Sequence, residues 1–260
     1  MLDINELIEI VKKDGEFLKS AVLKSSDVHE KEGHVNFVTK YDMASQKYLQ
    51  EEFAKRWPDY NFIGEEEPIA KQLTDKPAFI VDPIDGTSNF MYGVPNSAIS
   101  VAVVEDKETV QGIVYNFFTD ELFTAEKGKG AYLNGERIYA PERPLEGTLC
   151  AVGTAPYYDE LRGGTLNLIE QILEYCDIRR MGAAALDFCY VACGRFSAFI
   201  ELTMQAWDYA AGYLICEEAG AIVSDINGNG IKPLGESSIV VGNPVAYKEF
   251  FEKIDLSLVK

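Results

Sequence analysis

Ala78-Phe79-Ile80-Val81-Asp82-Pro83-Ile84-Asp85-Gly86-Thr87-Ser88-Asn89 sets a short apolar run directly before two carboxylates three residues apart. Four consecutive apolar residues read as a buried strand. Pro83 fixes its own φ and has no N–H to give, so Ile84 and Asp85 are barred from simply continuing a ladder. The strand is therefore expected to end near residue 82, where the chain turns and lets both carboxylates face one point. Hard oxygen donors converging in this way suit a divalent cation such as Mg²⁺. Gly86 and Thr87 offer backbone N–H groups at what reads as a helix start, a place that favours a phosphate oxygen. A metal and a phosphate in one short segment point to phosphoryl chemistry.

Working outward, residues 3–24 carry Ile4, Leu7, Ile8, Val11, Leu18 and Val22 at amphipathic-helix spacing. A loop is expected over 25–36 and a second helix over 42–57, closed by Pro58. The middle third reads as a meandering sheet, with strands over 60–63, 78–82, 98–105, 109–116, 121–125 and 130–133. From 148 onward helices and strands alternate: strands at 148–152, 177–180, 196–201, 221–225 and 238–241, helices at 159–175, 183–193, 207–219 and 244–255. No linker composition or internal repeat divides the chain. It reads as one mixed α/β unit over 1–260, with two lobes and a soft boundary near 140–147.

Composition narrows the function. At 260 residues and 47% hydrophobic content the chain is long and apolar enough to bury a sizeable core. Its net charge of −18 disfavours nucleic acid and anionic membranes as partners, since both depend on Lys and Arg. The first residues lack a basic segment followed by an apolar one, and nothing approaches a membrane span, so a cytoplasmic address is expected. Cys150, Cys176, Cys189, Cys193 and Cys216 are odd in number and lack CxxC spacing, which argues against a disulfide framework. Cys189 and Cys193, one helical turn apart, read as small core residues. The only histidines, His29 and His34, lie in a polar segment read as exposed loop, which leaves little material for a His-ligated zinc site or a Ser-His-Asp triad.

Three further acids stand where elements begin or end. Glu65 follows the short strand Tyr60-Asn61-Phe62-Ile63, Glu201 is expected to end the strand Ser197-Ala198-Phe199-Ile200, and Asp208 follows Trp207 at a helix start. The segments Gly64-Glu65-Glu66, Asp82 to Phe90, and Trp207-Asp208-Tyr209-Ala210-Ala211-Gly212 resemble the three signature motifs of the inositol monophosphatase family, in order and at compatible spacing. Weaker similarities at Phe37 to Asp42, Ala125 to Tyr132 and Gly182 to Asp187 extend the resemblance over nearly the whole chain.

The resemblance implies a layered αβαβα sandwich of the sugar phosphatase type and a Mg²⁺-dependent, Li⁺-sensitive phosphomonoesterase, homodimeric, with two or three Mg²⁺ ions and a small phosphate ester as substrate. It implies that Glu65, Asp82 and the Ile84 carbonyl hold the first metal, and Asp82, Asp85 and Asp208 the second. Thr87, hydrogen-bonded to Asp42, would act with Glu65 on the attacking water. Gly86 and Thr87 would hold the phosphate, and Glu201, Asp208 and the backbone of Gly182, Ala183 and Ala184 would face the leaving alcohol. The chemistry asks for such residues independently: an all-carboxylate site without His or Cys fits Mg²⁺ better than zinc, and two metals can clamp both the attacking and the leaving oxygen.

Two departures bear on substrate. Ala183 stands where the family often has Thr, and Thr154 or Ala155 takes the place of a frequent substrate-contacting Ser. Inositol monophosphate or a similar small polyol phosphate is the leading substrate; fructose 1,6-bisphosphatase and 3′-phosphoadenosine 5′-phosphate phosphatase activities are the rivals, for which Arg179, Arg180 or Arg195 would have to reach the pocket. A non-catalytic, metal-bound interaction protein is the alternative of another class, and retention of Asp42, Glu65 and Thr87 counts against it. The run Asp225-Ile226-Asn227-Gly228-Asn229-Gly230 with Glu236 matches an EF-hand pattern, but a strand before it and Pro233 after it favour a hairpin. Gly128-Lys129-Gly130 reads as a turn, and Phe117-Phe118 as core or interface.

Overall fold

Alternation along the strands assigns the layers. A computed structural model of the chain describes residues 2–24, 27–30, 37–66 and 76–259. The first large sheet has seven strands in the order β3-β4-β5-β6-β7-β8-β9: β3 (Asn61–Gly64), β4 (Ala78–Asp85), β5 (Ala98–Glu105), β6 (Glu108–Asn116), β7 (Glu121–Glu126), β8 (Gly130–Leu133) and β9 (Glu136–Ile138). Its β3/β4 pair is parallel and the remainder is an antiparallel meander. On β4, Phe79 and Val81 face α1 (Ile4–Lys19) and α2 (Lys40–Arg56) with Leu7, Val11, Leu49 and Phe53, whereas Ile80 faces the other way. A strand buried on both faces reads as a continuous apolar run, which is what Ala78 to Val81 is.

The second sheet has five strands, β11-β10-β12-β14-β13, from β10 (Leu149–Val152), β11 (Asp177–Arg179), β12 (Ala198–Met204), β13 (Ile222–Ser224) and β14 (Ser237–Gly242). Phe199, Ile239 and Val241 join Ile80, Ala102 and Phe123 of the first sheet around α5 (Ala184–Ala192) and α6 (Ala206–Glu218). Ala198, Ile200 and Val240 face α4 (Arg162–Ile172) and α7 (Pro244–Lys253) through Leu168, Ile172 and Phe250. The order is thus helices, sheet, helices, sheet, helices: the expected αβαβα sandwich. Among the described residues no helix is long and apolar enough to cross a membrane.

Several local expectations change. The loop expected over 25–36 contains β1 (Val28–Glu30), which pairs antiparallel with β2 (Phe37–Thr39); His29 is an exposed strand residue, and His34 lies outside the described residues. The helix expected over 159–175 is a 3-10 turn at Asp159–Leu161 followed by α4. The helix start read at Gly86-Thr87 is that of a short helix, α3 (Thr87–Tyr92), whereas β9 had no counterpart in the periodicity. Both interior strands that carry site acids run past their expected ends, β4 to Asp85 and β12 to Met204. Phe117 is core, Cys189 is buried, and Cys193 caps α5 half-buried. The EF-hand letters form the β13–β14 connection, with Asp225 Oδ1 accepting the N–H groups of Asn227 and Asn229 at 2.8 Å each.

Candidate active site

Pro83 does not stop β4; a bulge absorbs it. Asp82 pairs with Ser100 and Asp85 with Ala98, so the ladder resumes after one extra residue on β4. Inside the bulge the Ile84 N–H donates to Asp82 Oδ1 at 2.9 Å, which holds that carboxylate against its own backbone. Gly86 then adopts φ +87°, a conformation that disfavours any side chain, and a Cβ there would stand 3.0 Å from the carbonyls of Asn96 and Gly182. The chain turns directly into α3, whose first amides have no intrahelical acceptor.

Two aspartates enter from helix starts by the same device. Asp42, third residue of α2, accepts the Thr39 N–H and hydroxyl on Oδ2 at 2.8 and 2.5 Å, leaving Oδ1 3.1 Å from Thr87 Oγ1. Asp208, third residue of α6, accepts the Gln205 N–H on Oδ2 at 2.8 Å. Glu65 follows β3, where its N–H donates to the Val81 carbonyl at 3.1 Å and so keeps it alongside Asp82 for one residue more; the Glu66 N–H is fixed by Gln46 Oε1 at 2.9 Å.

The opposite wall comes from the second sheet. β12 carries a bulge of the same count, with Glu201 paired to Ile239 and Met204 to Ser237, so Glu201 lies inside the strand rather than at its end. Glu201 Oε1 accepts the Ala155 N–H at 3.0 Å, from an Ala155 at φ +39°, and a Cβ on Gly153 would lie 2.0 Å from Glu201 Oε2. Ala155, not Thr154, lines the cleft. Asp85 bridges the two walls: its oxygens accept the Ala184 and Ala185 N–H groups at 3.1 and 2.7 Å, at the start of α5. The Ala184 amide is therefore already committed to Asp85 and the Ala183 carbonyl accepts the Asp187 N–H at 3.1 Å, so of this segment the Gly182 and Ala183 N–H groups are what a ligand can use.

Together these residues line one cleft of about 490 Å³, which holds Glu65, Asp82, Ile84, Asp85, Gly86, Thr87, Gly182, Ala183, Ala184, Glu201 and Asp208. Asp42 stands behind Thr87 and does not line it. Sequence reasoning gave no role to Asp187, a cleft-lining acid that is 3% exposed and whose Oδ1 has no hydrogen-bond partner. The available signal was one carboxylate inside the otherwise apolar run Ala183 to Ala192. Of the three arginines, Arg179 is held by Asp177 at 2.7 Å and Arg195 by Glu121 at 3.1 Å, while Arg180 lines the cleft.

Burial and mutual repulsion set the protonation of these acids. Asp82 is driven well above the usual carboxylate range by burial, reinforced by Glu65, Asp85, Asp208 and Asp42. Burial carries Asp208 well above that range too, with Asp85 and Glu65 adding to it. Asp85 is pushed up to about 7 by burial against the pull of its two amide partners. Glu201, half-buried at the surface but walled in by loop 153–155, is likewise pushed up to about 7, and buried Asp42 to about 6. Among the described residues no three His, Cys, Asp or Glu side chains form a closed ligand group. The donor set nonetheless fits a divalent cation that keeps waters: it is all oxygen, it is repelled by its own charge, and a cation would relieve that repulsion.

The sequence profile described as the inositol monophosphatase family matches residues 3–257. An inositol-1-monophosphatase from Rhizobium meliloti (strain 1021) is 42% identical over 224 residues, covering 85% of this chain and 84% of its own. A Nus factor SuhB from Escherichia coli (strain K12) is 38% identical over 218 residues, 83% of this chain and 81% of its own. The solved structure of a Thermotoga maritima IMPase superposes with a TM-score of 0.85 at 32% identity, covering 98% of this chain and 96% of the other. A profile match of this length, with relatives this similar, makes the chain a member of the inositol monophosphatase family.

Proposed function

We propose that this protein is a Mg²⁺-dependent phosphomonoesterase that hydrolyses the phosphate ester of inositol or a similar small polyol or sugar. The observation that carries the reading is the convergence of Glu65, Asp82, Asp85 and Asp208, from the end of β3, from β4 and from α6, on one cleft beside the Gly86 turn. Glu65, Asp82 and the Ile84 carbonyl would hold one Mg²⁺ and Asp82, Asp85 and Asp208 a second, which when bound would lower the pKa of an attacking water and offset the charge that develops on the phosphate and leaving oxygens.

The chain's own residues then prepare the water and the ester. Thr87 Oγ1 lies 3.1 Å from Asp42 Oδ1 and 3.2 Å from the Ile84 carbonyl, and it has a single proton to give. Were the Ile84 carbonyl to hold a cation, that proton would go to Asp42 at the shorter of the two distances, and the Thr87 lone pairs could accept from a water on the cleft side. Asp42, pushed up to about 6, is basic enough to take a proton relayed through Thr87 near neutral pH. The free amides at Gly86 and Thr87 receive phosphate oxygens, and Glu201 accepts a hydroxyl of the leaving alcohol. A phosphate-release panel of polyol, sugar and nucleotide monophosphates with Mg²⁺ tests the reading: release from none of them would end it, and millimolar Li⁺ is expected to inhibit.

The Nus factor relative favours a second reading, a non-catalytic interaction protein on the same fold. Such a protein has no use for a hydroxyl poised between a buried acid and a cleft, as Thr87 is. Loss of phosphate release with retained Mg²⁺ binding in the unaltered protein would favour it.

A further inference from the structure

We infer that Glu236, an exposed carboxylate outside the cleft, is a positioning residue that sets the aim of Asp208; the inference rests on the reading of Asp208 as a Mg²⁺ ligand given above. Glu236 closes the β13–β14 connection, the segment whose letters match an EF-hand loop, and stands directly before β14. Its two oxygens reach back to the segment that joins β12 to α6. Oε1 accepts the Thr203 hydroxyl at 2.7 Å, and Oε2 accepts a Gln205 Nε2–H at 3.3 Å. The carboxylate thus spans Met204, the last residue of β12, which pairs with Ser237 where the bulge ends.

Thr203 and Gln205 both line the cleft, and Asp208 hangs on the second of them. The Gln205 N–H donates to Asp208 Oδ2 at 2.8 Å and the Gln205 carbonyl accepts the Asp208 N–H at 3.1 Å, so the two residues move as one unit. What holds Gln205 from behind therefore also holds the Asp208 carboxylate. The connection that supplies Glu236 is itself seated on α6: the buried Tyr209 hydroxyl donates to the Lys232 carbonyl at 2.8 Å, with the Gly235 carbonyl 3.2 Å away. Tyr209 alone would keep that connection in place; the Glu236 carboxylate adds a tie to the cleft wall. Thr203 and Glu236 also line a second cavity of about 690 Å³, so the clamp is the partition between that cavity and the cleft. Outer partners of a ligating carboxylate typically carry 10- to 100-fold in metal affinity, and Glu236, which acts through Gln205, belongs at or below the lower end of that range.

Mg²⁺ titrations, followed by the rise in Tm and separately by phosphate release from inositol 1-phosphate, test the inference. Glu236→Ala is expected to raise the half-saturating Mg²⁺ concentration about 5- to 10-fold by both readouts, with kcat at saturating Mg²⁺ and KM for the ester within about 3-fold of the unaltered enzyme. Glu236→Gln, whose amide can accept from Gln205 and donate to the Thr203 oxygen, should recover most of the loss. Gln205→Met should shift the midpoint as far as Glu236→Ala does, and the double variant no further, since one tie cannot be lost twice; it carries the same test should Glu236→Ala not fold. A lower Tm without Mg²⁺ and an unchanged Mg²⁺ midpoint would overturn the inference and leave Glu236 an anchor of its loop. Additive shifts in the double variant would overturn it too. Phosphate release with the same midpoint in every variant sinks this inference alone, whereas an unaltered protein that releases phosphate from no ester sinks the proposed function, and the Tm titration then decides the role of Glu236.

Discussion

β4 and β12 are interrupted in the same way. Each is an interior strand, each spends three residues where its neighbour spends two, and each puts a cleft acid at the start of its bulge, Asp82 in one and Glu201 in the other. The surroundings differ. Asp82 is 2% exposed and meets four other acids, while Glu201 is half-buried and meets a backbone amide and, across the cleft, Arg180. A bulge aims a side chain out of the pleat, and what that side chain does depends on the charges it is aimed at. On this reading the β4 bulge serves cation and phosphate, and the β12 bulge serves the alcohol.

The largest expected effect breaks the β4 side. Asp82→Asn should lower kcat by at least about 10³-fold, because the several kcal/mol supplied by the cation depend on that carboxylate. It should also abolish the rise in Tm that Mg²⁺ gives the unaltered protein. That rise is expected to be greater at pH 8 than at pH 5.5, since Asp85, pushed up to about 7, and Asp82, driven well above the usual carboxylate range, must lose protons before they can ligate. An Asp82→Asn protein with near-normal turnover would remove the proposed asymmetry between the bulges.

Next comes the relay behind the β4 bulge. Asp42→Asn should cost about 10²-fold in kcat while leaving Mg²⁺-induced stabilisation intact, as Asp42 does not line the cleft. Because burial raises Asp42 to about 6, its basic form is gained as pH rises through that value, and a bound cation would bring that value down. The kcat/KM profile should therefore show an acid limb at or below pH 6 that Asp42→Asn removes. An unchanged limb would assign it to another group.

Much of this was legible in the sequence for a definite reason. The acids Glu65, Asp82, Asp85 and Asp208 lie in segments where Gly, Pro and an apolar run leave few local conformations, and the long alternating strands announce the sheets. What escaped depends on partners. The extension of β12 past Glu201 is set by the register against β14, and the second use of Asp85, as acceptor for α5, joins residues about a hundred apart. β1, β2 and β9 are three residues each, too short for a period to register. Arg179, Arg180 and Arg195 are chemically identical letters; only the placement of Asp177 and Glu121 leaves the middle one facing the cleft.

On the β12 side the expected effect is smaller and of another kind. Glu201→Gln should raise KM for inositol 1-phosphate about 10-fold, the worth of one hydrogen bond to a charged group, with Mg²⁺ stabilisation unchanged. If kcat fell as far as in Asp82→Asn, both bulges would belong to the metal end.

The smallest effect comes from an acid remote from both bulges, and it isolates what burial alone does. Asp14 on α1 is 1% exposed, accepts the Ser45 hydroxyl of α2 on Oδ2 at 2.5 Å, and has no partner for Oδ1. Burial pushes it up to about 7, as it does Asp85 and Glu201, but Asp14 does not line the cleft that those two share. The folded state then holds a proton that the unfolded chain releases from about pH 3.8, so Asp14 favours folding in acid, and this contribution is lost as pH rises to about 7. The span corresponds to a ceiling of about 4 kcal/mol. Asp14→Asn should therefore raise Tm by several degrees at pH 8, have little effect at pH 4, and leave kcat unchanged. Thermal melts at the two pH values check this; equal shifts at both would mean that packing, not charge, dominates the seam between α1 and α2.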